Sequence, residues 1–302
     1  MLSKEENALL TQTGPGTPMG ELFRRFWLPA IVATEAEIDG PPVRLRIMSE
    51  DLIAFRDSKG NVGIVDAYCR HKLAGLFWGR NEEEGIRCTY HGWKYDTAGN
   101  CVDMPNEPTD SNFKNKIKLK AYPTREWGGL VWVYMGPADK MPDGLPQFEW
   151  GRVPADHRHV ARFLQRTNYC QGLVGEFDNV HISFLHRFLD YSKFNSNQRK
   201  VLEIASYDGA PQFTVRDTEY GLLNVTRRSA PDGERYWWQA SQWMMPAWSY
   251  GGNDGETLSG RAWVPIDDHH TNAYSYMYRV DRPFNDREKT LNEAGTFFPP
   301  RS

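Results

Sequence analysis

Residues 88–96 read CTYHGWKYD, a short β-rich, aromatic stretch that opens on a cysteine and places a histidine three positions later. A buried thiol is common and a lone histidine decides nothing, so the stretch acquires meaning only through a matching pair. One stands upstream in YCRHKLAG, where a single residue separates Cys69 from His71. Sixteen residues then separate His71 from Cys88. Each pair follows strand-like sequence able to hold its loop rigid. Gly75 and Gly92 suit loops that approach a bound group closely.

Two chemistries accept two thiolates and two imidazoles. Zinc takes Cys2His2 tetrahedrally. A Rieske cluster takes two cysteines on one iron and two histidines on the other, and the neutral imidazoles raise its potential above that of an all-cysteine centre. Finger-type zinc sites usually gather the cysteines in one knuckle and the histidines on a helix. Here each loop gives one Cys and one His, the alternation required when each loop must reach two irons. Cys101 and Cys170 fit neither pair and read as small buried hydrophobes.

The bulk properties set the frame. The chain has 302 residues, enough for two cores, and a formal net charge of -3, which gives no reason to expect nucleic acid or an anionic membrane as partner. A mean hydropathy of -0.65 and the lack of an 18-residue apolar run argue against a membrane span. Four cysteines do not make a disulfide framework at this size, and a reducing cytoplasm is the expected compartment. The start, MLSKEENALL, reads as a helix capped by Ser3 with Glu6 answering, not as a signal peptide.

Along the chain, residues 3–27 read as two helical pieces broken at TGPGTP, with Thr17 and Pro18 starting the second. From Val43 the texture turns to strands: VRLRIM, LIAFRD and VGIVDA, the last two joined by DSKGN. GGLVWVYMG (Gly128 to Gly136) reads as the closing strand of this β region, and the proline-containing GPADKMPDGLPQFEW reads as a linker. Beyond it, RHVARFLQ is strand-like and NYCQGLVGEFDNVHISFLHRFLDY helical. After Lys200 the pattern returns to strands and turns, with one turn at APDG and a strand pair around residues 267–271. A long helix plus antiparallel strands implies an α+β second domain.

That helical stretch holds the second constellation, Asp178, His181 and His186. Asp178 and His181 are three apart and share a helix face. His181 and His186 are five apart, about 140° around an ideal helix, so they converge on one ion only if the helix distorts or ends there. Two histidines and a carboxylate form the facial triad of non-haem Fe(II) oxygenases, which leaves positions open for O2 and substrate.

In order and spacing, the C-x-H…C-x2-H and D-x2-H-x4-H segments resemble the two motifs of the α subunits of Rieske non-haem iron aromatic-ring-hydroxylating oxygenases. MLSKEENALLTQTGPGTPMGELFRRFWLPA and RCTYHGWKYDTAGNCVDMP are most similar to the phthalate 4,5-dioxygenase branch, whose members act on chlorobenzoate, phenoxybenzoate and similar aromatic acids. The likeness runs from residue 1 to about 190. It implies N-terminal helices (1–39) packed on the catalytic domain, an antiparallel β Rieske domain (40–136), a linker (137–150) and a helix-grip catalytic domain (151–302). Cys69 and Cys88 would hold one iron of a [2Fe-2S] cluster, and His71 and His91 the other. His181 and His186 would bind a mononuclear Fe(II).

The same likeness makes Asp178 an electron-transfer bridge to the cluster of a neighbouring subunit, hence a homotrimer or stacked trimers, and sets Asn168 near the iron. The family's third ligand is an aspartate on a C-terminal helix and is expected beyond Ser302, so the catalytic domain is expected to be only partly contained in the chain. Cys-Arg-His also stands where many relatives have Cys-Pro-His. The implied reaction is cis-dihydroxylation of a small, carboxylate-bearing aromatic with O2. No nicotinamide or flavin fingerprint occurs, so the electrons would come from an NADH-dependent iron–sulfur flavoprotein reductase. Monooxygenation or O- or N-demethylation is the alternative within this machinery. A non-catalytic electron carrier is the alternative if the third ligand is truly absent.

Other segments carry less. PIDDHHT (Pro265 to Thr271) offers four adjacent ligand types but reads as a hairpin turn. RYWWQASQWMMPAW suits either an apolar cavity or a sheet core. Arg187, Arg216, Arg227 and Arg228 are candidates to clamp a substrate carboxylate.

Overall fold

The computed structural model describes residues 2–187, 190, 196–250 and 257–295. Helices α1 (Lys4–Thr11) and α2 (Pro18–Phe23) open the chain. Ser3 and Glu6 exchange both hydrogen bonds of a capping box, and the Thr17 side chain accepts from the Gly20 amide ahead of the Pro18 turn. Strands begin earlier than expected. β1 (Trp27–Val32) is buried along nearly its whole length, so it lacks the alternation that marks a half-buried strand.

β2 (Val43–Ile47), β3 (Glu50–Arg56) and β4 (Val62–Asp66) form an antiparallel meander, with the expected turn at 57–61. In that turn Asp57 accepts hydrogen bonds from the Lys59 and Asn61 amides. β5 (Arg80–Glu82), β6 (Gly85–Arg87), β7 (Lys94–Tyr95) and β8 (Cys101–Asp103) make a second four-stranded sheet, and β9 (Ala121–Tyr122) completes the first in the order β2-β3-β4-β9. A small apolar core between these sheets contains Ile53, Phe55, Leu76, Ile86, Tyr95 and Leu119, together with Cys69 and Cys88.

GGLVWVYMG does form a strand, but its place differs from the expected one. β10 (Thr124–Trp127) and β11 (Leu130–Tyr134) pair with β1 in the order β1-β11-β10, and β11 belongs to the larger core. There the rings of Trp132 and Trp248 stack at 5.4 Å, and those of Trp150 and Tyr276 at 5.1 Å. Trp150 sits in α3 (Glu149–Arg152), at the end of the proline-containing stretch, and is 2% exposed, so that stretch is packed against the core and does not swing free.

The second half is α+β, as expected. β12 (Arg158–Gln165) precedes α4 (Tyr169–Phe177) and α5 (Ser196–Tyr207). β13 (Gln212–Thr218), β14 (Gly221–Ser229), β15 (Tyr236–Met244), β16 (Trp248–Tyr250), β17 (Leu258–Pro265) and β18 (Thr271–Tyr278) follow, and α6 (Asp286–Glu293) comes after them. The seven strands form one antiparallel sheet in the order β12-β18-β17-β16-β15-β14-β13. α4 lies against its middle, so close that a Cβ on Gly172 would stand 2.4 Å from the Trp263 ring.

One expectation for this half is corrected. The helix does not run through residue 186: it ends at Phe177, where Asp178 turns to extended backbone (φ -78, ψ 123) and its carboxylate accepts from the Val180 amide at 2.7 Å. A local side-chain bond of this kind competes with helix continuation. The remainder of that predicted helix, residues 188, 189 and 191, lies outside the described residues. The strands do return after Lys200 as expected, starting at Gln212 once α5 ends at Tyr207. The sequence reading also passed over α6, although Asn285 and Glu288 form a capping box as complete as that of α1.

Candidate metal centres

The first centre is built by two loops that brace themselves. Cys69 N–H donates to Ala74 O and Leu73 N–H to Cys69 O, both at 2.9 Å. The second loop repeats the pattern, with Cys88 N–H to Trp93 O at 2.9 Å and Gly92 N–H to Cys88 O at 3.0 Å. Gly92 is required here: its φ is +78, and a Cβ would lie 2.6 Å from Pro105. The loops bring Cys69, His71, Cys88 and His91 together, and they do so by kind. The two buried thiols interact with each other, whereas the His71 and His91 rings pair at 4.4 Å between centroids.

The surroundings fit a bound group. His71 Nδ1 is buried without a hydrogen-bond partner, which is costly unless the nitrogen has another use. The ring stacks on Trp93 at 4.5 Å and 9°. Cys69 Sγ lies 3.3 Å from Tyr95 Oη, which also accepts from the Arg70 amide at 3.2 Å. A proline at position 70 has no N–H to make that second bond, so Arg70 adds a tether as well as changing loop stiffness. Burial pushes the Cys69 thiol up in pKa, with the Tyr95 contact acting against it; desolvation, His91 and Lys72 push His71 down. The Cys69 thiol therefore keeps its proton until a cation displaces it, whereas the His71 imidazole is already neutral and free to ligate. Trp93 and Tyr95 were missed as supporting residues, although both stand in the stretch around His91.

The second centre follows α4. His181 begins a 3-10 turn, His181–Ser183, and His186 comes shortly after it. Ending the helix removes the 140° divergence: the two rings stand 5.1 Å apart. Asp178, no longer helical, still reaches His181, Oδ2 to Nδ1, at 3.2 Å. Burial opposes ionisation of Asp178, but the Val180 amide and His181 outweigh it and hold the carboxyl below its usual range. With Nδ1 occupied, the other ring nitrogen of His181 is left to a ligand. Among the described residues no third His, Cys, Asp or Glu joins this pair at single-ion distance.

The other candidates are redistributed. Asn168 caps α4 through the Cys170 amide and donates to Thr11 O and Asp268 O, each at 2.9 Å, so it ties the N-terminal segment to the second half and is engaged structurally. PIDDHHT is the β17–β18 hairpin, with Asp267 bonded to His270 and Asp268 accepting from Thr13. Cys101 is buried, and its thiol is pushed up to about 11 by that burial. Beside Asp178 lies a cavity of about 530 Å³ whose walls include Leu22, Leu173, Phe177, Phe213, Leu222 and Trp243. None of its described lining residues is cationic. The four arginines are elsewhere: Arg187 and Arg216 are exposed, Arg227 lies over Tyr236, and Arg228 is buried in the sheet. The aromatic run divides, Trp243 facing the cavity and Trp248 the core.

Residues 26–123 match the Rieske [2Fe-2S] domain. The chain is 36% identical over 291 residues to the 3-chlorobenzoate-3,4-dioxygenase oxygenase subunit of Comamonas testosteroni, covering 94% of this chain and 66% of that one. It is 40% identical over 290 residues to the phthalate 4,5-dioxygenase oxygenase subunit of Pseudomonas putida, covering 91% and 64%. Dicamba monooxygenase bound to 3,6-dichlorosalicylic acid has the same fold, with a TM-score of 0.70 at 15% identity, covering 91% of this chain and 83% of that structure. The fold and the paired donors define a Rieske protein with a helix-on-sheet second half. The chain belongs to the Rieske non-haem iron aromatic-ring oxygenases, and the phthalate branch is among its near relatives. It spans just under two thirds of the length of these two relatives.

Proposed function

We propose that the chain is the oxygenase component of a multicomponent Rieske dioxygenase that cis-dihydroxylates a small aromatic compound with O2 and electrons from an NADH-dependent reductase. The carrying observation is the sorting of the first donor set, thiol with thiol and imidazole with imidazole, in a chain that also pairs His181 with His186. A single tetrahedral zinc would draw all four donors to one point. Two irons need two sets. We therefore assign Cys69 and Cys88 to one cluster iron, His71 and His91 to the other, and His181 and His186 to a mononuclear iron whose third ligand lies outside the described residues.

When bound, the cluster supplies one-electron transfer and the ferrous ion supplies O2 activation. The chain's own residues do the rest. Asp178 accepts the Nδ1 proton of His181, fixing its tautomer and orientation. Its side chain is 38% exposed, available to a histidine of a neighbouring subunit, which supports a bridging role in a homotrimer or a stack of trimers. The apolar lining of the cavity beside it suits an aromatic ring. The names of the relatives support an aromatic acid, yet a carboxylate in this cavity would face Asp178 without a described cation, an unfavourable burial. Of the expected 40–136 we assign the part up to β9 to the cluster-bearing unit, since β10 and β11 join β1 and β11 lies in the larger core, and 151–302 to the catalytic one. The four free cysteines suit the cytoplasm. Among the described residues no helix is long and apolar enough to cross a membrane.

Product analysis with labelled O2 tests the reading. Two labelled atoms in one product are expected in the presence of reductase and an aromatic substrate. One labelled atom would replace dihydroxylation by monooxygenation or demethylation, and no substrate-dependent O2 uptake would leave an electron carrier.

A further inference from the structure

The turn that carries His181 is too short to hold itself. A 3-10 segment of three residues makes few bonds of its own and their geometry is poor. Its shape must be imposed from outside, and the imposing side chain is Arg228 on β14, 2% exposed. One guanidinium nitrogen, Nη2, donates to Asn179 O. The other, Nη1, donates to Ser183 Oγ at 3.1 Å and to Asp208 O. The fork thus grips the residue two before His181 and the residue two after it, and ties both to the segment that follows α5.

Neighbouring contacts extend the grip. The Asn179 amide donates to Thr226 Oγ1 at 2.9 Å and Ser241 Oγ at 3.3 Å, and Asn224 donates to Phe177 O at 3.1 Å. Burying a guanidinium is unfavourable unless its donors are used. A planar fork with five N–H groups at fixed angles can span three acceptors on two segments, which a lysine ammonium on a flexible stem does poorly. Asp208 and Asp178 lie close enough to compensate the charge in part.

We propose that Arg228 is a positioning residue for the mononuclear metal site: by clamping Asn179 and Ser183 it sets the distance between His181 and His186, and it does not bind substrate. This rests on the proposed binding of a ferrous ion by those histidines. The readout is metal affinity, with no turnover required. Co(II) serves as the probe, titrated anaerobically by its visible absorption, while the cluster spectrum reports that the remainder of the chain is intact.

Arg228→Met is expected to keep the full cluster signal and to lose about tenfold in Co(II) affinity, the lower end of what outer residues of metal sites contribute. Arg228→Lys should fall between this variant and the parent. In Arg228→Gly, added guanidinium ion should restore affinity, whereas an ion of equal strength such as sodium should not. If Arg228→Met does not accumulate, Ser183→Ala, which removes a single acceptor, should weaken Co(II) binding with the cluster unchanged. Parent-like affinity in Arg228→Met or Ser183→Ala, or no restoration by guanidinium, overturns the proposal and leaves the oxygenase reading standing. Failure of the parent chain to bind Co(II) at the two histidines overturns both.

Discussion

The two candidate centres are held in opposite ways. At the cluster loops, the bonds that shape each loop join residues four or five positions apart, and both donors of a pair arrive on one hairpin tip. At the histidine turn, the bonds come from residues 45 to 62 positions away, on β14 and β15. The first centre is thus a property of two short segments, and the second is a property of a folded sheet. A local loop is damaged chiefly by changing its own residues or the few side chains, such as Tyr95, that brace it. A turn held from a distance can be damaged by residues that touch neither metal nor substrate.

The largest test of this contrast is Cys88→Ala. It should abolish the cluster, leaving no acid-labile sulfide and no brown colour, while Co(II) binding at His181 and His186 persists; loss of both together would mean that the centres are not built independently. Asp178→Asn comes next. The amide keeps the shape and loses the charge, so both metals should remain while cluster-to-iron transfer slows by on the order of a hundredfold in single-turnover mixing. Loss of the mononuclear iron in that variant would make Asp178 a ligand instead of a bridge.

A smaller effect is expected from Gly172→Ala. The added methyl meets the Trp263 ring at 2.4 Å, so α4 must shift off the sheet, with a destabilisation of about 1–3 kcal/mol in chemical denaturation. Unchanged stability would mean that α4 is loosely seated and that the histidine turn is not anchored through it.

The smallest effect is a pH dependence at a residue outside both donor sets. Burial raises the pKa of Glu50, but Lys120, Tyr122 and Arg24 act against it and leave the carboxyl below its ordinary value of 4.5. Arg24 and Lys120 each approach it at 2.6 Å. A depressed pKa in the folded state contributes stability that is present above pH 4.5 and is lost as pH falls through the lower folded value. Glu50→Gln should therefore lower stability at neutral pH and flatten the acid limb of a stability–pH curve below 4.5. An acid limb as steep as that of the parent would remove Glu50 from the account.

How much of this was legible in advance follows the same division. Ser3 with Glu6 announced α1, and the turns at 57–61 and 230–233 announced their hairpins, because each signal acts across three or four residues. Asn285 with Glu288 carries the same signal for α6. β1 was missed because it is buried on two faces, and a strand without a polar face has no period to detect; β11 was recognised as a strand, but not its place in the larger core. Asp178 was read as helical because its bond to the Val180 amide depends on one side-chain rotamer that no spacing reveals.

What the residue order fixed alone was the identity and pairing of the donors at 69, 71, 88 and 91, since short backbone bonds within each tip suffice to present them. A local bond of Asp178 helps to end the helix before His181, but the tertiary fold alone decided that His186 comes beside it and that Arg228 serves the turn and not a substrate. Those outcomes depend on a sheet whose strands meet only after folding, and on a buried cation whose acceptors are scattered along the chain.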